Sequence, residues 1–189
     1  MFNIDYEEIA KDKELLDYKD SKMTDLWENT DFYGYRYLDP KQKGTYGEMF
    51  VSKIFEKNGY LVVLAEKTND SYDRYIDGHK VELKFSLAHT DHKKQIIMDD
   101  TFSLNHVSKN KHWDRLIFLG INYNTSESIM KFMTKEDFVD LLENRKDEFF
   151  KYFSYQQGGK EGKNDDYMSK NKKLLNLLGS PYMKDMSEW

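Results

Sequence analysis

The stretch Tyr72-Asp73-Arg74-Tyr75-Ile76-Asp77-Gly78-His79-Lys80-Val81-Glu82-Leu83-Lys84 concentrates two carboxylates and an ammonium in a pattern that strand geometry can gather into one patch. Side chains alternate faces along a strand, so Glu82 and Lys84 project to one side and Leu83 is buried opposite. Asp77-Gly78 suits a tight hairpin turn, because both residues tolerate positive φ. A hairpin closed there sets Asp73 roughly opposite Glu82 and Lys84. Neighbouring carboxylates oppose each other's ionisation unless something positive lies between them. A hard divalent cation resolves that conflict: Mg²⁺ takes oxygen ligands and keeps several waters, so it can touch a substrate phosphate and hold a water for attack. Lys84 would orient or deprotonate that water and stabilise charge building at phosphorus. The chemistry these residues point to is phosphodiester hydrolysis.

Such a patch needs a rigid frame, and the surrounding pattern supplies candidates for it. Lys41 to Asn58 places Tyr46, Met49, Phe50, Ile54 and Phe55 on one helical face, and Asn58-Gly59 is a stop. Glu48 lies near the start of that helix. It reads either as a third carboxylate facing the strands or as an ordinary first-turn acid stabilised by the helix dipole. Tyr60 to Ala65 reads as a buried strand, and Ser71 to Ile76 and Lys80 to Phe85 as the two arms of the hairpin. Residues 86–100 carry no clear period, and Thr101 to Lys111 reads as a short helix. Asp114 to Ile121 reads as a buried strand and Ser128 to Met133 as another. Thr134 then caps a helix running toward Arg145, with Asp137 at the capping-box spacing. Residues 3–31 read as an acidic helix ahead of all this, and residues 154–173 as an exposed polar loop. Leu174 to Leu178 form a short helix that Gly179 and Pro181 end.

A helix bearing Glu48, then Asp73, eight residues, Glu82-x-Lys84, then the apolar strand Arg115 to Ile121: this order resembles the PD-(D/E)XK nuclease superfamily. Tyr72 stands where the motif's name has Pro. The resemblance spans about residues 41–145. It implies a restriction-endonuclease-like fold of the α/β (α+β) class, a mixed central sheet flanked by helices. It implies Asp73 and Glu82 as ligands of Mg²⁺, with Mn²⁺ able to substitute, the Leu83 carbonyl as a further ligand, Lys84 as the catalytic lysine and Glu48 as an accessory acid. The products it implies are 5′-phosphate and 3′-hydroxyl ends. Within the superfamily, small size and a polar Gly/Lys/Gln-rich tail look like a type II restriction endonuclease cutting double-stranded DNA. A structure-selective, repair or phage nuclease is similar. A noncatalytic DNA-binding domain is the alternative from another class, and the intact Asp73, Glu82 and Lys84 argue against it. Cutting both strands of a symmetric site requires a two-fold homodimer, with the helices of residues 3–31 or Leu174 to Leu178 as its interface. A cognate methyltransferase would act separately.

Composition narrows the remaining chemistry. The 189 residues suit a single nuclease domain: an N-terminal helical region 1–40, a catalytic core 41–145 and a C-terminal extension 146–189 for DNA recognition or oligomerisation. The absence of cysteine excludes disulfides, thiolate catalysis and Cys-type zinc sites. The five histidines show no zinc-ligand spacing. No apolar run approaches the ~18–20 residues of a membrane span, and the acidic start is unlike a signal peptide, so a cytoplasmic location is expected. With a net charge of -5, DNA affinity has to come from local patches and bound cations. Gln156, Gln157, Lys160, Lys163, Asn164, Lys170, Lys172 and Lys173 are residue types that read base edges and phosphates, although a solvated loop has the same composition. Lys93 and Lys94, just beyond the motif strand, form a second candidate contact. Glu82 and Lys84 themselves have a plainer reading as a solvated strand face.

Overall fold

A computed structural model of the protein describes residues 11–17, 25–65, 72–91, 93–94, 96–99, 101–122, 124–156 and 166–189. The chain divides into two units, Met1–Leu38 and Asp39–Trp189. In the first, residues 13–17 are helical, but turns run from residue 26 onward. The helix expected over residues 3–31 therefore does not continue through its last turns. The buried Asp25 carboxylate explains the break: Oδ1 accepts the Trp27 N–H at 3.0 Å and Oδ2 the Gly34 N–H at 2.8 Å, which folds the chain back on itself.

In the second unit, Asp39 and Gln42 form a capping box at the start of helix α1 (Pro40–Lys57). Gly59, at φ +85°, ends it in a Schellman motif, with the Gly59 N–H on the Glu56 carbonyl and the Tyr60 N–H on the Phe55 carbonyl. Strands β1 (Val62–Leu64), β2 (Arg74–Ile76) and β3 (His79–Leu87) follow as an antiparallel meander. The β2–β3 turn has both Asp77 and Gly78 at positive φ, as the dipeptide requires. After the short hairpin of β4 (Thr90–Asp91) and β5 (Ile96–Ile97) come β6 (Ser103–Val107), β7 (Arg115–Asn122) and β8 (Glu127–Thr134). Helices α2 (Lys135–Asn144) and α3 (Lys146–Tyr152) lead to β9 (Ser154–Tyr155), β10 (Tyr167–Lys170), α4 (Lys172–Leu178) and β11 (Lys184–Asp185). Thr134 caps α2, accepting the Asp137 N–H at 3.1 Å.

The main sheet is mixed and six-stranded, in the order β1-β2-β3-β7-β8-β11, with β3 and β7 parallel and the other neighbours antiparallel. The architecture is thus mixed α+β. One face of the sheet packs on α1, where Val51 and Phe55 meet Val81, Leu83, Ile117, Leu119 and Phe132. On the other face Phe118 meets Phe102 beside β6, and Phe138 of α2 meets Trp113.

Three expectations change here. Thr101 to Lys111 is not a helix: Leu104 and Val107 are buried in β6, which pairs with β10 some sixty residues later, so tertiary pairing overrides local pattern. Residues 154–173 are not wholly an exposed loop either, because β9 and β10 pair and Tyr167 and Ser169 are buried. Leu174, Leu177 and Leu178 are buried within the chain, so the expected use of that helix as a dimer face loses its apolar stripe. Among the described residues no helix is long and apolar enough to cross a membrane.

Contact between α1 and β3 is close enough to test. A Cβ added at Gly47 would fall 2.5 Å from Phe85 Cβ, whereas one at Gly44 meets nothing within 4 Å. Gly44→Ala should raise the melting temperature, since Ala gains about 1 kcal/mol over Gly inside a helix. Gly47→Ala should lower it, with a cost of about 1–3 kcal/mol from overpacking. Thermal melts of the two variants, one helical turn apart, should shift in opposite directions.

Candidate metal centre

The β2–β3 ladder ends with Arg74 paired to Val81, a register that, carried one step further, sets Asp73 opposite Glu82. There the strands part. The Asp73 N–H still reaches the Val81 carbonyl at 2.9 Å, but the Leu83 N–H is taken by the Asp73 carboxylate, at 2.7 Å to Oδ2. A side chain thus replaces a backbone acceptor and is fixed beside β3. Arg74, on the opposite face, turns toward α1. It donates from Nε to Ser52 Oγ at 3.0 Å and from one terminal nitrogen to Glu48 Oε2 at 3.1 Å and the Asp73 carbonyl at 2.7 Å.

Glu82 is 1% exposed, which removes the reading of a solvated strand face. Its Oε1 lies 2.7 Å from Lys84 Nζ, so Glu82 and Lys84 do share a side of the strand. The same oxygen accepts a hydrogen bond from Lys111 Nζ at 2.6 Å. Glu82 Oε2 is buried without a hydrogen-bond partner. Leu83, between the two, is buried in the core under α1.

The electrostatics of Asp73 follow from this crowding. Burial, and next the Glu82 carboxylate, push its pKa from 3.8 up to about 6, against the Leu83 N–H and the Lys84 ammonium, which lower it; Glu48 adds a smaller upward push. Lys135 responds to the same surroundings. Burial, reinforced by the Lys111 ammonium, brings its pKa down from 10.5 to about 8, although Glu82 and Asp114 pull the other way.

Glu48 lies more than two turns into α1, because the helix begins at Pro40. That is too deep for a first-turn dipole role. Its partner is Arg74, and the electrostatic influence of Glu48 reaches Asp73. Among the described residues no three His, Asp or Glu side chains are grouped so as to hold a metal ion. A cation at this hairpin would rest on two carboxylates, completed by backbone oxygen or water. The donor set fits a hard divalent ion on two counts: Glu82 Oε2 is a buried acceptor lacking a partner, and Asp73 is protonated more readily than a free carboxylate because burial and the Glu82 carboxylate disfavour its charge.

The expected DNA contacts separate. Lys93 and Lys94 are exposed on the turn between β4 and β5, their N–H groups held by Asp91 Oδ1. Lys170 and Lys172 are exposed at the end of β10 and the start of α4. Lys173 is different: its ammonium donates to the Phe150 and Phe153 carbonyls and to Ser154 Oγ, so it ties α4 to α3 instead of meeting a phosphate. Gln156 is half-buried, its N–H on the Asp166 carbonyl at 2.9 Å. Gln157, Lys160, Lys163 and Asn164 lie outside the described residues. Sequence spacing gives no hint of Lys111 or Lys135 as neighbours of the site, since no motif spacing links them to Glu82. Comparison with protein-family models and with curated proteins yields no match.

The pKa of Asp73 makes a signed prediction. Folding raises it above the unfolded value, so the folded chain holds that proton more tightly; the stability this contributes is complete below about pH 4 and is lost as pH climbs through about 6. Asp73→Asn, which cannot ionise, should therefore stabilise the metal-free protein by roughly 1–3 kcal/mol at pH 8. Denaturant titrations in chelator should show that gain shrinking below pH 6 and nearly gone by pH 4. An equal gain at every pH would assign it to packing instead.

Proposed function

We propose that the protein is a Mg²⁺-dependent endodeoxyribonuclease of the PD-(D/E)XK kind, acting on double-stranded DNA in the manner of a type II restriction enzyme. The observation that carries this reading is the buried Glu82 carboxylate, with one oxygen on two ammonium groups and the other without a partner, beside an Asp73 that shares its side of the hairpin. The mixed sheet supports it further, since a helix, an antiparallel meander and a strand parallel to β3 come in the order the resemblance implies.

Asp73 and Glu82 are the residues that would hold the ion, with the Leu83 carbonyl as the further ligand in the resemblance. A bound divalent cation supplies positive charge against the scissile phosphate and lowers the pKa of water. The chain's own contributions are positional. Asp73 is oriented through the Leu83 N–H, and the Arg74 guanidinium joins Glu48 and Ser52 of α1 to the Asp73 backbone, bracing the end of β2 against the helix. The Lys84 side chain is four-fifths buried, where an ammonium acts on a phosphate with little screening and can donate to water. Glu48 is an accessory acid reached through Arg74. The exposed Lys93, Lys94, Lys170 and Lys172 supply backbone contacts in this reading, and a two-fold homodimer cuts the two strands of a symmetric site.

Purified protein incubated with plasmids and Mg²⁺ should yield discrete fragments with 5′-phosphate ends. Lys84→Ala should lower the cleavage rate by at least about a hundredfold, the scale of losing a group that handles a proton in the transition state. Cleavage only of branched substrates would move the reading to a structure-selective nuclease, and no cleavage of any DNA with Mg²⁺ or Mn²⁺ would end it.

A further inference from the structure

Lys111 has no place in the motif, yet it makes the shortest contact to Glu82. Its Nζ stands 2.6 Å from Oε1, on the same oxygen that Lys84 approaches to 2.7 Å. Two like charges converging on one carboxylate oxygen repel each other even as each is drawn to it, so the arrangement is firmer where the backbone holds one of them in place. Here it does. The Ser108 carbonyl accepts the Trp113 Nε1–H at 3.1 Å and Lys135 Nζ at 3.2 Å, and Lys135 Nζ also donates to the Lys111 carbonyl at 2.7 Å. Lys135 Nζ rests 4.2 Å from the ring centre of Trp113, which is 2% exposed. At the far end of the segment, Asp114 binds back to the motif hairpin: its N–H meets the Lys80 carbonyl at 2.7 Å, and its carboxylate takes the Lys80 N–H at 2.8 Å. Residues 108–114 are thus fastened at both ends, and Lys111 is the side chain they aim at Glu82.

We infer that Lys111 is a positioning residue that competes with a divalent cation for Glu82. It holds Oε1 of the buried carboxylate in the metal-free protein, and its positive charge opposes a cation arriving at the free Oε2. Lys111 is freer to move aside than Lys84, since its side chain is 34% exposed against 18%. The inference rests on the nuclease reading, because it needs a cation at Glu82. It concerns affinity for the ion rather than cleavage, so the two can fail separately.

The test is calorimetric titration of the full chain with Mn²⁺ in the absence of DNA. Lys111→Gln should bind Mn²⁺ at least about threefold more tightly than the unaltered protein, because a competing positive charge has been removed from the carboxylate. Lys111→Arg, which keeps the charge, should retain the original affinity. Lys109→Gln makes the same change of net charge two residues away, where the ammonium pairs with Glu143 at 3.3 Å, and should leave affinity unchanged. Circular dichroism melts confirm that each variant is folded. Unchanged or weaker Mn²⁺ binding by a folded Lys111→Gln overturns the inference and leaves the nuclease reading standing. Equal tightening by Lys109→Gln overturns it as well, because net charge alone would then explain the gain. Absence of Mn²⁺ binding in the unaltered protein and in every variant overturns both.

Discussion

Where β2 ends, the Leu83 N–H needs an acceptor, and the Asp73 carboxylate provides one. A buried amide without a partner costs on the order of 1–3 kcal/mol, so this bond is a condition of continuing β3 past the end of its neighbour. It also brings an acid to the side of Glu82 that would otherwise turn to water. The proximity of the two carboxylates is therefore a by-product of finishing the sheet, and the strain between them appears as the raised pKa of Asp73. Lys84 eases that strain, lowering the pKa of Asp73 and pairing with Glu82.

Charge management is divided between the two faces of the sheet. On the α1 side, Arg74 is buried and ties Glu48, Ser52 and the Asp73 carbonyl together, so its charge is spent on neutralising Glu48 and bracing the chain. On the other side, Lys84 and Lys111 meet Glu82, and the segment that delivers Lys111 is held by Lys135 over Trp113. Positive charge is thus brought from three parts of the sequence to two acids of one hairpin. Net charge says nothing of this: a chain carrying -5 overall still gathers ammonium groups at one point.

Local chemistry was readable from the residues, and distant pairing was not. Asp77-Gly78 announces its turn, Thr134 its helix start, and Asn58-Gly59 its stop, because each depends on backbone geometry within a few residues. Alternation along β3 put Glu82 and Lys84 on one side for the same reason. Thr101 to Lys111 misled because its apolar residues at 102, 104 and 107 fit either period, and only β10 decides between them. Lys111 and Lys135 were invisible, since a lysine near a strand end looks like any other until the partner strand is in place. The role of Lys173 was misjudged similarly: a lysine among polar residues suggests solvent, whereas the open ends of α3 and its following turn supply three oxygens for it.

The parallel pairing of β3 with β7 has a consequence for how the molecule is assembled. A two-residue turn brings Asp73 and Glu82 together, a closure that costs little chain entropy, whereas Lys111 stands 29 residues from Glu82 and arrives only with the crossover. Lys84 comes with the hairpin, but Lys111, the second ammonium on Glu82 Oε1, comes only with the crossover. Pairing of β7 beside β3 thus adds a second positive charge to the acids that the turn brings together, so charge and topology favour the same step.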